Sequence, residues 1–347
     1  MKNKNENIVI FRTDRIGEVL LSTVVVEALK KHSPDDAISF ITSEYSKPML
    51  EGRRDIENIL TVDTFSKKKC VFRAIKLARI LRRYQFDMAV ILNPHKMLHL
   101  ACFLAGIPTR LGYDRKWGFL LTKKMVDERN DGNKHETEYA MDLLKEIGVD
   151  VPTPEPKLFV DSKAEIIVDD FIKEYNLESE KRPLVVMHPG SSNPAKIWPE
   201  KRYIELVKAL KAAANCCIVM VGDANDREFA GKVIEQTGIN VFNTSGMFDL
   251  KELIAFLRRA DLYIGSDTGP MHMAAAVGVP VIAIFGRKIP GVSPKRWGPC
   301  GKGHVILHKP CKSGVCHDTF CEYGYKCLEN VTAEEVCEAA TKILADR

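Results

Sequence analysis

Four short stretches combine residue types able to activate a hydroxyl or hold an anionic leaving group. Arg12-Thr13-Asp14-Arg15-Ile16-Gly17-Glu18 follows the apolar run Ile8–Phe11. Gly17 permits a tight turn, and Glu18 stands where a first helical turn is expected. A carboxylate there acts as a base or simply complements the helix dipole, and periodicity alone favours the second. His188-Pro189-Gly190-Ser191-Ser192 follows Leu184–Met187, with Lys196 and Trp198 beyond it. Bare amides and the hydroxyls of Ser191 and Ser192 suit phosphate, and Lys196 adds a point charge. The spacing is not that of a Walker loop, and an ordinary turn before a helix has the same composition. In Val221-Gly222-Asp223-Ala224-Asn225-Asp226, the carboxylates of Asp223 and Asp226 can accept hydrogen bonds from a ribose, or Asn225 or Asp226 can cap the next helix. In Gly265-Ser266-Asp267-Thr268-Gly269-Pro270-Met271-His272, a strand ends at Asp267 and a helix starts with Pro270 near its first position. The helix start over Thr268, Gly269, Pro270 and Met271 favours a diphosphate, and Asp267 can hold sugar hydroxyls. Here loop and helix start reinforce one another, which outweighs a simple Asx cap.

These loops need strands that end where ligands bind. The chain alternates β-rich runs with amphipathic runs, the pattern of parallel sheets with helical crossovers. Strands are expected at Ile8–Phe11, Ile38–Thr42, Ile59–Val62 and Met88–Leu92, then at Leu184–Met187, Cys216–Val221, Val241–Asn243, Leu262–Ser266 and Val281–Phe285. Helices are expected at Val19–Lys31, Val71–Tyr84, Lys134–Gly148 and Ala164–Tyr175, then at Glu200–Ala214, Asp226–Thr237, Leu250–Arg259 and Met271–Val277. Thr332 and Glu335 stand at capping-box spacing and open a last helix. The charged link from Leu177 to Pro183 interrupts the periodicity, which puts a domain boundary near residue 178.

The length of 347 residues suits two domains, and 45% hydrophobic with 28% charged residues describes a globular protein. A net charge of +5 favours an anionic ligand without demanding nucleic acid, and no aromatic–basic interleaving points to one. The run Ile8–Phe11 is too short for a secretory signal. The longest uncharged stretch, Thr268–Gly286, is broken by Pro270, Gly278 and Pro280, so a cytoplasmic protein is expected. The absence of GxGxxG after the first strand argues against a dinucleotide oxidoreductase.

Two further features stand apart. Lys67 to Arg83 holds eight basic residues and no acidic one, with Leu77, Ile80 and Leu81 at helical spacing. Such a helix packs on a sheet with a solvated outer face, or rests on an anionic membrane. Six of the ten cysteines fall at or after Cys300. Cys311, Cys316, Cys321 and Cys327, with His317 adjacent, are candidates for a structural zinc or iron–sulfur site, although the CxxC knuckle is absent.

Taken together, RxGE–VLLST, HPGS–KxWPxxxY, VGDxxDRE and SDTGPMHMAAAxGVPVIAIFG resemble the lipopolysaccharide heptosyltransferase family, glycosyltransferase family 9. The resemblance runs over nearly the whole chain, and the last motif is specific in order and spacing. It implies an α/β protein of GT-B fold, with two Rossmann-like domains facing across a cleft. Residues 1–178 would form an acceptor domain and 179–331 a donor domain, with the helix over 332–347 packing back on the first. It implies inverting, metal-independent transfer of a sugar, typically heptose from ADP-heptose, onto a lipopolysaccharide core or similar glycan or lipid acceptor. No catalytic cofactor is implied, and a lipid acceptor adds peripheral contact with the cytoplasmic face of the inner membrane.

Carried over by motif, Glu18 takes the place of the family's catalytic aspartate. This departs from the usual Gly-Asp, and the extra methylene moves the carboxylate by about 1.5 Å. Asp14 is a fallback base, and Arg12 and Arg15 join it on the acceptor side. Lys196 matches the phosphate-contacting lysine. Asp267, Thr268 and Gly269 match the sugar- and phosphate-binding turn, with Asp267 expected beside Glu18 among the catalytic residues, and Phe248 falls where an apolar residue meets the nucleobase. The Glu-for-Asp change keeps open a catalytically silent nucleotide-sugar-binding protein, and a GT-B nucleotide-sugar epimerase is the enzymatic rival.

Overall fold

The computed structural model describes residues 5–64, 70–177, 182–311 and 315–346. The chain forms two compact units, Met1–Lys157 and Leu158–Arg347. In the first, β1 (Asn7–Phe11), α1 (Ile16–His32), β2 (Ala37–Thr42), β3 (Asn58–Thr61), α2 (Cys70–Tyr84), β4 (Met88–Ile91), α3 (Lys96–Ala105), β5 (Thr109–Tyr113), β6 (Lys123–Met125) and α4 (Glu136–Lys145) follow in order. The second runs α5 (Ser162–Glu174), β7 (Leu184–His188), α6 (Glu200–Ala214), β8 (Cys217–Met220), α7 (Arg227–Thr237), β9 (Phe242–Asn243), α8 (Leu250–Arg259), β10 (Leu262–Ser266), α9 (Gly269–Ala276), β11 (Val281–Phe285), α10 (Pro294–Trp297), β12 (Val305–His308), α11 (Lys326–Glu329) and α12 (Ala333–Ala345).

Each unit builds one six-stranded parallel sheet, ordered β3-β2-β1-β4-β5-β6 and β9-β8-β7-β10-β11-β12. Counted from its own first strand, each follows the same doubly wound path. The order reverses between β1 and β4 in one and between β7 and β10 in the other, and such switch points are where open α/β sheets bind ligands. The central strands read as apolar runs because helices cover both faces; β7, β10 and β11 are buried at all five positions. Register sets Gly265 beside His188, and a Cβ on Gly265 would come within 3.1 Å of the His188 carbonyl. The loops after β7 and β10 therefore start level and close together.

The boundary near residue 178 falls outside the described residues, and the division into units comes earlier, after Lys157. Helix α5 belongs to the second unit because Phe171 packs edge-on against Phe256 of α8, and Arg258 and Arg259 pair with Glu165 and Asp169. The break at Leu177–Pro183 is the link between α5 and β7. The last helix is part of the second unit. Its Val336 and Ala340 are fully buried in the core that holds Tyr203, Leu206 and Leu210 of α6. Trp198 Nε1 donates to the Val331 carbonyl at 3.0 Å just before it. The Thr332–Glu335 capping box is present.

In α2, Leu77 and Leu81 are buried as expected, whereas Ile80 is turned outward at 38% exposure. Lys67, Lys68 and Lys69 lie outside the described residues. Among the described residues no helix is long and apolar enough to cross a membrane.

Candidate active site

In the second unit, three residues meet at the carboxyl ends of β7, β8 and β10. His188 ends β7 and is 6% exposed. Its Nδ1 lies 3.1 Å from Thr268 Oγ1 and its Nε2 3.3 Å from Asp226 Oδ2, so one imidazole joins the β8 loop to the start of α9. Asp226 also accepts the Asp223 amide at 3.0 Å. Burial pushes the Asp226 carboxyl up, but the hydrogen bond and charge of His188 and the Asp223 amide together outweigh this and hold it below the ordinary range. Its carboxylate lies so close to Gly190 and Gly222 that a Cβ at either would strike it. The Asp226 side chain makes no cap of α7. Asp223 is exposed and accepts the Asn225 amide at 2.7 Å.

Asn193 accepts the Ala195 amide at 3.0 Å and sets the short turn Pro194–Lys196. Lys196 is thereby aimed at Asp267, with Nζ 2.8 Å from Oδ2 and 2.7 Å from the backbone carbonyl. The buried Asp267 carboxylate also takes Arg287 Nη2 at 3.2 Å and faces His272 Nε2 at 3.9 Å. Thr268 is the N-cap of α9, with Pro270 in its first turn. Gly269 and Met271 offer amides there and Pro270 none. The Met271 side chain is fully buried, so its contribution is through the backbone. Ser191 Oγ accepts the Asn193 amide at 3.2 Å, and Ser192 is exposed. Phe248 packs on Phe171 and Phe256, with ring centroids 5.1 and 4.9 Å away.

In the first unit, Glu18 lies half-buried in the first turn of α1. Desolvation, helped by the Asp14 charge, raises its carboxyl above the ordinary value, against the opposing pull of Arg12 and Arg15. Arg12 is 3% exposed; its Nε donates to Asp14 Oδ1 at 2.7 Å and its Nη1 to Glu136 Oε1 at 3.0 Å. Arg129, whose guanidinium lies 3.9 Å over the Tyr113 ring, holds Asp127 at 2.7 Å and touches the same Glu136. This network commits Arg12 to holding the loop. Arg15 is exposed. Thr13 is fully buried at the switch point and is held by Asn93 Nδ2 at 2.9 Å and Thr64 Oγ1 at 3.0 Å.

Among the described residues no group of three or more His, Cys, Asp or Glu side chains is arranged to hold a metal ion. Two of the four candidate thiols accept backbone amides. Cys327 Sγ accepts the Arg287 amide at 3.4 Å and Cys316 Sγ the Lys288 amide at 3.5 Å. Arg287, the bridging role of His188, and Asn93 did not emerge from the motifs. Arg287 lies just past a strong strand, in FGRK, with no glycine-rich turn or helix start to mark it.

The chain matches the model of glycosyltransferase family 9 (heptosyltransferase) over residues 74–325. It is 28% identical to the lipooligosaccharide heptosyltransferase 2 of Haemophilus influenzae, covering 98% of this chain and 99% of that protein. It is 25% identical to the lipopolysaccharide heptosyltransferase 2 of Salmonella typhimurium over the same shares. Among solved structures, a family 9 glycosyl transferase from Veillonella parvula superposes with TM-score 0.86 at 22% identity, covering 100% of this chain and 99% of that one. The E. coli ADP-heptose LPS heptosyltransferase II gives 0.79 at 21%, covering 98% and 99%. The two doubly wound sheets thus have the GT-B fold. On its sequence match and its fold, this chain belongs to glycosyltransferase family 9 and is a glycosyltransferase.

Proposed function

We propose that this glycosyltransferase moves a heptose from ADP-heptose onto a sugar hydroxyl of a lipopolysaccharide core, with inversion and without a catalytic metal. The observation that carries the reading is the Lys196–Asp267 pair seated at the start of α9. A lysine fixed by a buried carboxylate beside the amides of a helix start is a preorganised receptor for a diphosphate.

In this reading the second unit holds the donor. Lys196 and the amides of Gly269 and Met271 take the diphosphate, with Ser191 and Ser192 at its edge. Asp223 accepts from the ribose, Phe248 offers an apolar wall to the base, and Asp226 fixes His188 and Thr268. The first unit supplies the base. Glu18 removes the acceptor proton as that oxygen bonds to the anomeric carbon. The bond from that carbon to the diphosphate oxygen breaks, and its electron pair leaves with the diphosphate. The transition state is oxocarbenium-like, and the positive groups stabilise the departing charge. A carboxyl raised by desolvation is the stronger base once ionised, which suits a hydroxyl proton. Arg15 and Asp14 lie on the acceptor side.

The acceptor's lipid brings the protein to an anionic membrane. Helix α2 exposes Val71, Phe72 and Ile75 at 53%, 68% and 37%, beside Arg73, Lys76 and Arg79. Exposed apolar side chains among cations suit the headgroup region of a bilayer.

A thermal-shift panel of nucleoside diphosphates and nucleotide sugars tests the donor assignment. ADP and ADP-heptose are expected to raise Tm, as any ligand of the native state does. Stabilisation by another nucleotide alone would replace the donor, and stabilisation by none would remove the reading.

A further inference from the structure

Arg287 carries a buried charge to which the mechanism above gives no role. It follows β11, and its side chain is 4% exposed. Nη2 donates to Asp267 Oδ2, the same oxygen that receives Lys196, and Nη1 pairs with Asp318. Its Nε has no hydrogen-bond partner among the described residues. The backbone at Arg287 has φ +63°, a left-handed conformation that costs energy in a residue with a Cβ. It is held there from both sides: Cys327 Sγ accepts its amide, and its carbonyl lies 2.7 Å from His308 Nε2. Surrounding structure that enforces a strained residue points to a use for its side chain.

The charges near it do not balance internally. Two cations, Lys196 and Arg287, converge on one buried carboxylate. The remaining compensation comes from Asp318, whose side chain is 59% exposed. An exposed carboxylate is a weak, screened partner. A diphosphate brings more charge and a set of oxygens matched to the guanidinium fork, including an acceptor for the unpaired Nε.

We propose that Arg287 is a second diphosphate-binding cation beside Lys196, and that Asp318 is its placeholder, displaced by a phosphoryl oxygen when the donor binds. The inference rests on the nucleotide-diphosphate donor proposed above. It also links the donor to the cysteine-bearing segment, because the Asp318 carbonyl accepts from Asn193 Nδ2 at 3.0 Å, three residues before Lys196. Displacement of its side chain leaves Asp318 tethered by its backbone.

Calorimetric titration of the full chain with ADP, and separately with inorganic pyrophosphate, tests this. Asp318→Asn removes the competing charge and is expected to bind both several-fold more tightly, with the gain shrinking as salt rises. Arg287→Gln is expected to bind both about tenfold or more weakly, the loss of a charge-assisted hydrogen bond. In the double variant the gain from Asp318→Asn should vanish, because it acts only through Arg287. Adenosine, which lacks phosphate, should show none of these changes. Unchanged or weaker binding by Asp318→Asn, with the wild type binding ADP, would overturn the inference and leave the donor reading standing. A wild type that binds neither probe would overturn both. If Arg287→Gln does not fold, the exposed Asp318→Asn decides the matter alone.

Discussion

Lys196 grips Asp267 twice, at the carboxylate oxygen and at the backbone carbonyl of the same residue. The first contact fixes the position of a charge. The second fixes the strand end from which α9 starts. Asp267 is therefore the anchor of Lys196 and the start of α9, and its proposed part in transfer is to hold these proposed donor groups in register. Asp267→Ala is expected to lower kcat/KM by about 10²–10³-fold, the usual cost of losing a preorganised electrostatic group. Lys196→Ala should raise the Kd for the donor diphosphate with Asp267 intact. Steady-state kinetics and calorimetry on the two variants separate these effects.

Glu18 should show its burial in two ways. Its raised carboxyl puts the acidic limb of the pH–kcat/KM profile above the ordinary glutamate range of about 4.3. Because the folded pKa exceeds the unfolded one, the native state binds the proton more tightly. The charged form therefore costs stability once pH has risen past the folded pKa, and that cost disappears below the unfolded pKa. Glu18→Gln is then expected to raise Tm at pH 7, with the difference closing as pH falls to about 4. Equal melting of the two proteins across that range would contradict the burial argument.

Gly190 leaves the space that the Asp226 carboxylate occupies. Gly190→Ala is expected to push Asp226 off His188, cost about 1–3 kcal/mol by overpacking, and weaken donor binding through Thr268. Adding Asp226→Ala should recover part of the lost Tm but not the binding. Recovery of both would mean that the His188 bridge does not serve the donor.

The last helix belongs energetically to the second unit. Trp198→Phe leaves the Val331 carbonyl without its indole donor and should cost about 1–3 kcal/mol in urea unfolding. Truncation after Val331 removes the buried Val336 and Ala340 and should unfold that unit.

Helix α2 predicts a membrane effect apart from catalysis. Phe72→Ser with Val71→Ser should reduce sedimentation with anionic vesicles at low salt and leave transfer to a detergent-dispersed acceptor intact. Undiminished sedimentation would exclude this face.

Much of the frame was legible in the sequence because buried parallel strands and amphipathic helices carry strong periodic signals. Glu200–Ala214, Leu250–Arg259, Leu262–Ser266 and Val281–Phe285 have the expected bounds. The elements not read are peripheral or mixed. β6 is Lys-Lys-Met on a sheet edge, β5 carries Arg110 and Gly112, and β12 is an edge strand ending in His308. Charges are tolerated on edges and erase the apolar run there. The Pro94–His95 lead into α3 hid a helix that is capped by His95, a residue type with no capping signature. Among the proposed site residues, Lys196, Asp267 and Thr268 stand near glycines or a helix start that flag them, and Glu18 is named through the resemblance to the family's motif. Arg287 and the His188 bridge could not be named, because each depends on contacts 20 to 80 residues away.

The central claim is that the Glu18 carboxylate drives displacement of a nucleoside diphosphate. Its most direct test follows ADP release and acceptor glycosylation together, using ADP-heptose and a core-truncated lipopolysaccharide, with NMR of the new linkage. The wild type is expected to release one ADP per sugar transferred with inverted anomeric configuration, and Glu18→Gln to be slower by about 10²–10⁴-fold. Transfer by Glu18→Gln at the wild-type rate, or retention at the anomeric carbon, would contradict it.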